Sequence, residues 1–388
     1  MPGSVDAAPS GMDLFDALAL LCGDPPVEWS SPRPTPAALE LRDRIGPARH
    51  YLFVLADGLG MNLRGHFPSG GFFETYLSGQ LRAIFPSTTS SVLTSLITGQ
   101  WPSRHGVVGW FTYLPERHCS TVPLPFTERF SGESLAGLGI EPFDLFPRTR
   151  RTDRFDRLVR LFSHGDLVDT SFGRWSTGNA RAVGFGDLEE AFTTLVDMLR
   201  SEPAPSYNYL YVSDIDHEEH RHGIDSPQVR ERIVRLDEHL LRFRQSSDLP
   251  LRLVVSTDHG HVEVPEAGRI VLRDEDALMS TLAAPPSGEP RTPVFHVRPG
   301  LRREFLAASG DLLEDRFDLL TTDEAERKRL LGPEPLSARA RARLGDFIGM
   351  AGGRSALVYA PPGREPLDFV AYHGGPSKDE MRIPLFLA

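Results

Sequence analysis

The residues of this chain best suited to chemistry are carboxylates and imidazoles that end short apolar runs. Asp57 closes YLFVLA and is followed by Gly58. Asp216 and His220 stand four apart in DIDHEEHRHG, so one turn of helix would put them on one face. Asp258 and His259 follow LRLVVST, and His373 lies in AYHGG. A Ser/Thr cluster runs through FPSTTSSVLTSLITG, residues 85–99. Each has an ordinary interpretation when taken alone. Asp-Gly is a favoured turn pair, a Ser/Thr cluster can cap a helix, and the 214–223 segment could be a solvated acidic loop. Asp258-His259 is harder to dismiss, because adjacent titratable groups ending an apolar strand are poorly explained by packing. Together, three Asp, three His and one hydroxyl form an oxygen and nitrogen donor set that suits zinc or manganese. The set is too large for one ion and about right for two. Two ions roughly 4 Å apart can hold the attacking and leaving oxygens of an in-line displacement at phosphorus. A hydroxyl bound to one of them loses its proton more easily and becomes a usable nucleophile.

Such residues can act only if the fold brings them to one edge. Tyr51–Ala56, Leu81–Phe85, Asn208–Ser213 and Leu251–Ser256 read as short apolar strands. Helical spacing marks Ser90–Thr98, Leu188–Arg200 and the amphipathic stretch Val229–Phe243. The alternation predicts an α/β fold with helices on both faces of one sheet. Such sheets bind ligands outside the carboxyl ends of their strands, where Asp57, Asp216 and Asp258 fall. Residues 1–46 read as a Pro-rich extension with one helical pattern at Met12–Leu21. Residues 47–261 and 355–388 then form the catalytic core, and 262–354 an inserted cap or lid.

With those motifs in view, the sequence resembles the alkaline phosphatase superfamily, and within it the type I phosphodiesterase/nucleotide pyrophosphatase family. The matching elements are LADGLG, FPSTT followed by LITG and HG, DIDHEEHRHG, STDHG and AYHGG, in the family's order across residues 51–388. The resemblance implies a central mixed sheet of the alkaline phosphatase type with an inserted cap. It implies Thr89 as nucleophile, nine residues before Thr98-Gly99. It also implies two divalent ions, zinc or manganese. One would be held by Asp57, Thr89, Asp258 and His259, the other by Asp216, His220 and His373. The backbone N–H of Ser90 would face a substrate oxygen. Two such ions exceed three carboxylates by one positive charge, which suits a singly charged phosphodiester. The family's nucleotide pyrophosphatases place an Asn 21 residues after the nucleophile; Trp110 stands there, able to stack a base or aromatic leaving group or to serve as a core residue.

Composition narrows the field further. Of 388 residues, 42 are basic and 53 acidic, giving a formal charge of -11, which argues against a nucleic-acid polymer as partner. Two cysteines, Cys22 and Cys119, cannot build a disulfide framework. Neither lies in the CxPxR pattern of the sulfatases. No apolar run has the length of a membrane span, and no targeting segment is legible, so the expected location is the cytoplasm. The expected function is hydrolysis of small phosphodiesters or pyrophosphates through a phospho-threonine. A phosphomonoesterase, a phosphonoacetate-type C–P hydrolase and a non-catalytic metal-binding scaffold are the alternatives.

Overall fold

The computed structural model describes residues 8–24, 34–246 and 249–388. Its centre is a seven-stranded sheet. The strands in chain order are β1 (His50–Ala56), β2 (Leu77–Arg82), β3 (Leu158–His164), β4 (Arg181–Phe185), β5 (Ser206–Val212), β6 (Leu251–Ser256) and β7 (Arg382–Leu387). Their spatial order is β2-β7-β6-β1-β5-β3-β4. Strands β1, β3, β4, β5 and β6 run parallel, whereas β7 is antiparallel to both of its neighbours. The sheet is therefore mixed.

β1 lies in the middle and is buried at every position, which explains its nearly continuous apolar run. Its alternate side chains serve two cores. Tyr51, Phe53 and Leu55 pack with the helices α1 (Gly11–Leu21) and, beyond α2 (Pro36–Ile45), α3 (Thr89–Thr98). Leu52, Val54 and Ala56 pack with α4 (Leu188–Ser201) and, past α5 (Asp214–His222), α6 (Pro227–Ser246).

The register of three adjacent strands places the site. Ala56 is opposite Val212, and Leu55 is opposite Ser256. β6, β1 and β5 therefore end level, and the chain leaves each at the same edge. Asp57, the start of α5 and Asp258 meet there.

Two expectations shift. The strand expected at Leu81–Phe85 is Leu77–Arg82, an edge strand whose neighbour in the seven-stranded sheet is β7, and it is mostly half-exposed. An edge strand of this kind needs no apolar run. Ala83–Phe85 instead belong to a buried segment entering α3. β3 and β4 carry no clear sequence signal. In β3, Arg160 interrupts the apolar pattern yet is buried, donating to Asn208 Oδ1 at 3.1 Å and Glu202 Oε2 at 2.7 Å.

Beyond β6 the chain builds a second layer. Arg269–Leu272 pairs in parallel with Ala356–Tyr359. A four-stranded sheet, in the order Ser287–Glu289, Thr292–Phe295, Phe347–Ala351, Phe317–Thr321, packs with the helix Arg302–Leu313 around Phe295, Phe305 and Phe347. This layer is tied to the core by a fully buried ion pair, Arg291 Nε to Glu380 Oε1 at 2.7 Å. Its first hairpin carries Glu289 to the sheet edge that holds Thr89.

Candidate metal centre

The nucleophile candidate sits on a helix that folds against its composition. All ten residues of α3 are buried although six are Ser or Thr. Their hydroxyls are satisfied locally: Thr94 donates to the Ser90 carbonyl at 2.7 Å, Thr98 to that of Thr94 at 2.6 Å, and Ser91 to that of Val107 at 2.8 Å. His105 accepts from the Val107 N–H at 3.0 Å and meets Ser95 Oγ at 3.0 Å. Burial, with Arg343 and Arg339 nearby, pushes His105 down to about 3, so it supports the helix as a neutral ring.

Thr89 opens α3, and its Oγ1 lies 3.4 Å from Asp57 Oδ2 and 3.3 Å from His259 Nε2. Thr88 Oγ1 is buried without a well-formed hydrogen bond. Ser90 is fully buried in the first turn of α3, where backbone N–H groups have no intrahelical acceptor. Asp57 is further held by Tyr211, whose hydroxyl donates to Oδ2 at 2.5 Å. Asp258 accepts from the His259 N–H at 3.1 Å through Oδ1.

The first group of donors is Asp57, Asp258 and His259, with Thr89 against it. His259 Nε2 is 3.5 Å from both Asp57 Oδ1 and Asp258 Oδ2. The second group surrounds Asp216 Oδ1. His220 Nε2 lies 3.4 Å from it, His261 Nε2 3.2 Å and His373 Nε2 3.8 Å. His259 and His373 stack at 3.9 Å and join the two groups.

Metal binding fits these residues on two observations. Asp57 Oδ1 and Asp258 Oδ2 are buried without a hydrogen bond, a costly state for carboxylates that no cation offsets. In addition, His220 Nδ1 is 2.8 Å from the Ala371 carbonyl and His373 Nδ1 is 3.1 Å from that of Ser87. A carbonyl only accepts, so each Nδ1 carries the proton and each Nε2 lone pair faces Asp216. That is the tautomer a metal requires.

The electrostatics agree. Burial, Asp258 and Asp216 push Asp57 well above the usual carboxylate range. Burial would raise Asp216 too, but His220, His261 and His373 outweigh it and hold the carboxyl well below that range. Burial lowers His220 to about 4 and His373 far below its ordinary value, the neighbouring imidazoles adding to the effect on His373. Both rings are neutral.

His261 and Glu219 are the members that sequence reasoning missed. His261 bridges two carboxylates, with Nδ1 2.9 Å from Glu219 Oε2 and Nε2 turned to Asp216. Burial opposes charge on His261, but Glu219 and Asp216 prevail and push it up to about 10. Glu219 comes close enough to require glycine at 58: a Cβ there, at φ +81°, would lie 2.6 Å from Glu219 Oε2 and 2.9 Å from Asp216 Cα. The available signal was the spacing of Asp216 and Glu219 on one face of α5. Glu218, by contrast, pairs with Arg232 at 2.9 Å away from the centre. Replacing Glu219 with alanine is expected to destabilise the fold by about 1–3 kcal/mol, because it leaves His261 Nδ1 buried without its partner. Urea unfolding monitored by circular dichroism reads this directly.

Trp110 is half-buried beside Thr89. Its backbone N–H donates to Glu289 Oε1 at 2.5 Å, and burial pushes Glu289 up to about 7. Two cavities open from this point. The first is about 620 Å³ and the second about 500 Å³, and Thr89, Trp110, Asp216 and His217 line both.

The fold recurs among known proteins. Human ectonucleotide pyrophosphatase/phosphodiesterase 5 is 17% identical, with a TM-score of 0.67 over 87% of each chain. The murine protein of the same name is 15% identical, with a TM-score of 0.63 over 86% of this chain and 87% of its own. Phosphonoacetate hydrolase from Sinorhizobium meliloti 1021 is 17% identical, with a TM-score of 0.59 over 88% of this chain and 90% of its own. No curated protein matches the chain. Residues 72–375 match the family described as type I phosphodiesterase / nucleotide pyrophosphatase. The span takes in Thr89 and every donor named above except Asp57, and the chain belongs to that family, within the alkaline phosphatase superfamily.

Proposed function

We propose that the protein is a two-metal phosphodiesterase that works through a phospho-threonine at Thr89. The observation that carries this reading is the convergence of two unpartnered buried carboxylate oxygens, of Asp57 and Asp258, and of imidazoles protonated on Nδ1 around Asp216, beside the Thr89 hydroxyl. Asp57, Thr89, Asp258 and His259 would hold one divalent ion and Asp216, His220 and His373 the other; zinc or manganese there would supply positive charge to the phosphoryl oxygens and acidify the threonine hydroxyl. Thr89 Oγ1 attacks phosphorus, and the ester bond on the His220/His373 side breaks. Water then cleaves the phospho-threonine, restoring the hydroxyl and releasing a phosphate monoester. The N–H of Ser90, in the first turn of α3, would donate to a non-bridging oxygen. Free, buried Cys22 and Cys119 suit a reducing compartment, in keeping with a cytoplasmic enzyme. No helix among the described residues is long and apolar enough to cross a membrane.

The substrate class follows from charge and space. A monoester carries an extra negative charge, and the residue after Thr89 is Ser90, not a cation. A diester fits the charge better. Two cavities that meet at Thr89 also leave room on both sides of phosphorus, far more than a phosphonoacetate would fill. Inactive murine ectonucleotide pyrophosphatase/phosphodiesterase 5 is known in complex with AMP, a nucleotide carrying one organic arm. Bis-p-nitrophenyl phosphate is therefore expected to show a higher kcat/KM than p-nitrophenyl phosphate, and Trp110→Ala to raise KM for aromatic diesters. Initial rates on the metal-loaded enzyme test this, and a clear preference for the monoester would reverse the assignment to a phosphatase.

A further inference from the structure

Three imidazole nitrogens converge on Asp216, one more than the sequence motifs supply. His261 Nε2 is 3.2 Å from Asp216 Oδ1, nearer than His220 Nε2 at 3.4 Å or His373 Nε2 at 3.8 Å. The three ring centres lie 4.8–5.1 Å apart, a nearly regular triangle beside one carboxylate oxygen. The donor atoms of Asp216, His261 and His373, together with that of His259, are all within 4.8 Å of one another. Ligands bound at about 2.0–2.1 Å around a tetrahedral zinc are about 3.3–3.4 Å from each other. His261 is thus spaced from Asp216 as a ligand would be.

The chain builds His261 into this place. Asp216 and Glu219 stand three apart on α5, and Glu219 is fully buried with its Oε2 2.9 Å from His261 Nδ1. At position 260 a Cβ would lie 2.3 Å from the Asp379 carbonyl oxygen, so glycine lets the chain pass closely from His259 to His261. Asn62 donates to the His261 carbonyl at 3.1 Å and fixes the backbone there. An ionised carboxylate only accepts, so Glu219 faces the Nδ1 proton of His261 as the Ala371 and Ser87 carbonyls face those of His220 and His373. His261 Nε2 then meets a carboxylate oxygen, and something positive must sit between them. In the metal-free protein that is a proton; an ion would take the lone pair in its place.

We propose that His261 is a fourth protein ligand of the second ion, beside Asp216, His220 and His373, and that Glu219 holds its ring in orientation. The inference rests on the two-metal reading and deepens it. The second site then offers three nitrogens and one oxygen, whereas Asp57, Thr89 and Asp258 with His259 offer three oxygens and one nitrogen. Imidazole suits zinc, while oxygen donors suit manganese. The second position should therefore keep its zinc against excess manganese, and His261→Gln should weaken that preference.

The test is nuclear magnetic resonance of the full chain, loaded with a spin-active cadmium isotope and carrying isotope-labelled histidine. A scalar coupling between cadmium and a ring nitrogen marks each ligating imidazole. Four coupled rings are expected, those of His220, His259, His261 and His373, and His261→Gln should remove one. In zinc titrations against a competing chelator, His261→Gln should weaken binding of the second ion by more than about 100-fold. Glu219→Gln should weaken it by about 10–100-fold, the usual cost of losing an outer partner. The count of coupled rings in the unaltered protein decides the matter whether or not the variants fold. Two bound ions with His261 uncoupled would overturn the inference, make His261 a positioning residue and leave the two-metal reading standing. Fewer than two bound ions would overturn both readings together.

Discussion

Thr89→Ala is expected to lower kcat by at least about 10³-fold while the protein stays folded and retains bound metal. Losing a nucleophile that acts as part of a unit costs about this much or more. Only one of seven proposed ligands is removed, and the three carboxylates and three imidazoles stay in place. The paired control is Thr88→Ala. Thr88 is fully buried at the N-cap of α3, makes no capping bond, and its Oγ1 lacks a well-formed hydrogen bond. Its loss should cost a little stability and only a small fraction of the activity. Steady-state rates with bis-p-nitrophenyl phosphate, set beside metal content and circular dichroism, separate the two. If Thr88→Ala were the inactive variant, the nucleophile would be one residue earlier.

Removing metal should have an effect of similar size. Strong chelation is expected to abolish hydrolysis, and returning zinc or manganese to restore it. The same cation should raise Tm, because Asp57 and Asp258 are then no longer buried with unpartnered oxygens. At a hundredfold excess over Kd, a ligand bound only by the folded state contributes about 2.7 kcal/mol. For a chain of this size that is a shift of several degrees. Elemental analysis should find two ions per chain in the active enzyme. His373→Ala should lose the ion of the second group first, since His373 belongs to the set around Asp216. Full activity with one ion or none would contradict the two-metal reading.

Much of this site is legible in the sequence because parallel strands in open α/β sheets deliver their carboxyl ends to one edge. YLFVLA before Asp57 is a strand buried throughout, and LRLVVS before Thr257-Asp258 is buried from Leu253 onward, so the polar residues at the ends of these apolar runs stand out. Asp216 and His220 are one helical turn apart, a spacing visible without any structure. Other features depend on partners distant in the chain. Arg160 hides β3 because its charge is offset only once Glu202 and Asn208 are folded against it. His261 reads as one more histidine after a glycine until Glu219 closes over it. Glu289 and Arg129 reach the Thr89 cavities from hairpins whose placement no local pattern reveals, and the second core around Phe295 and Phe305 is equally silent.

The central claim is that Thr89 carries the phosphoryl group between two displacements. Its most direct test is rapid acid quench of the metal-loaded enzyme during turnover of a p-nitrophenyl diester, followed by peptide mass spectrometry. The account predicts an adduct equal to the phosphoryl group with its retained ester arm on the peptide containing Thr89, absent from Thr89→Ala and formed together with a burst of p-nitrophenol. Hydrolysis at full rate with no adduct, or with the adduct on any other residue, would contradict it.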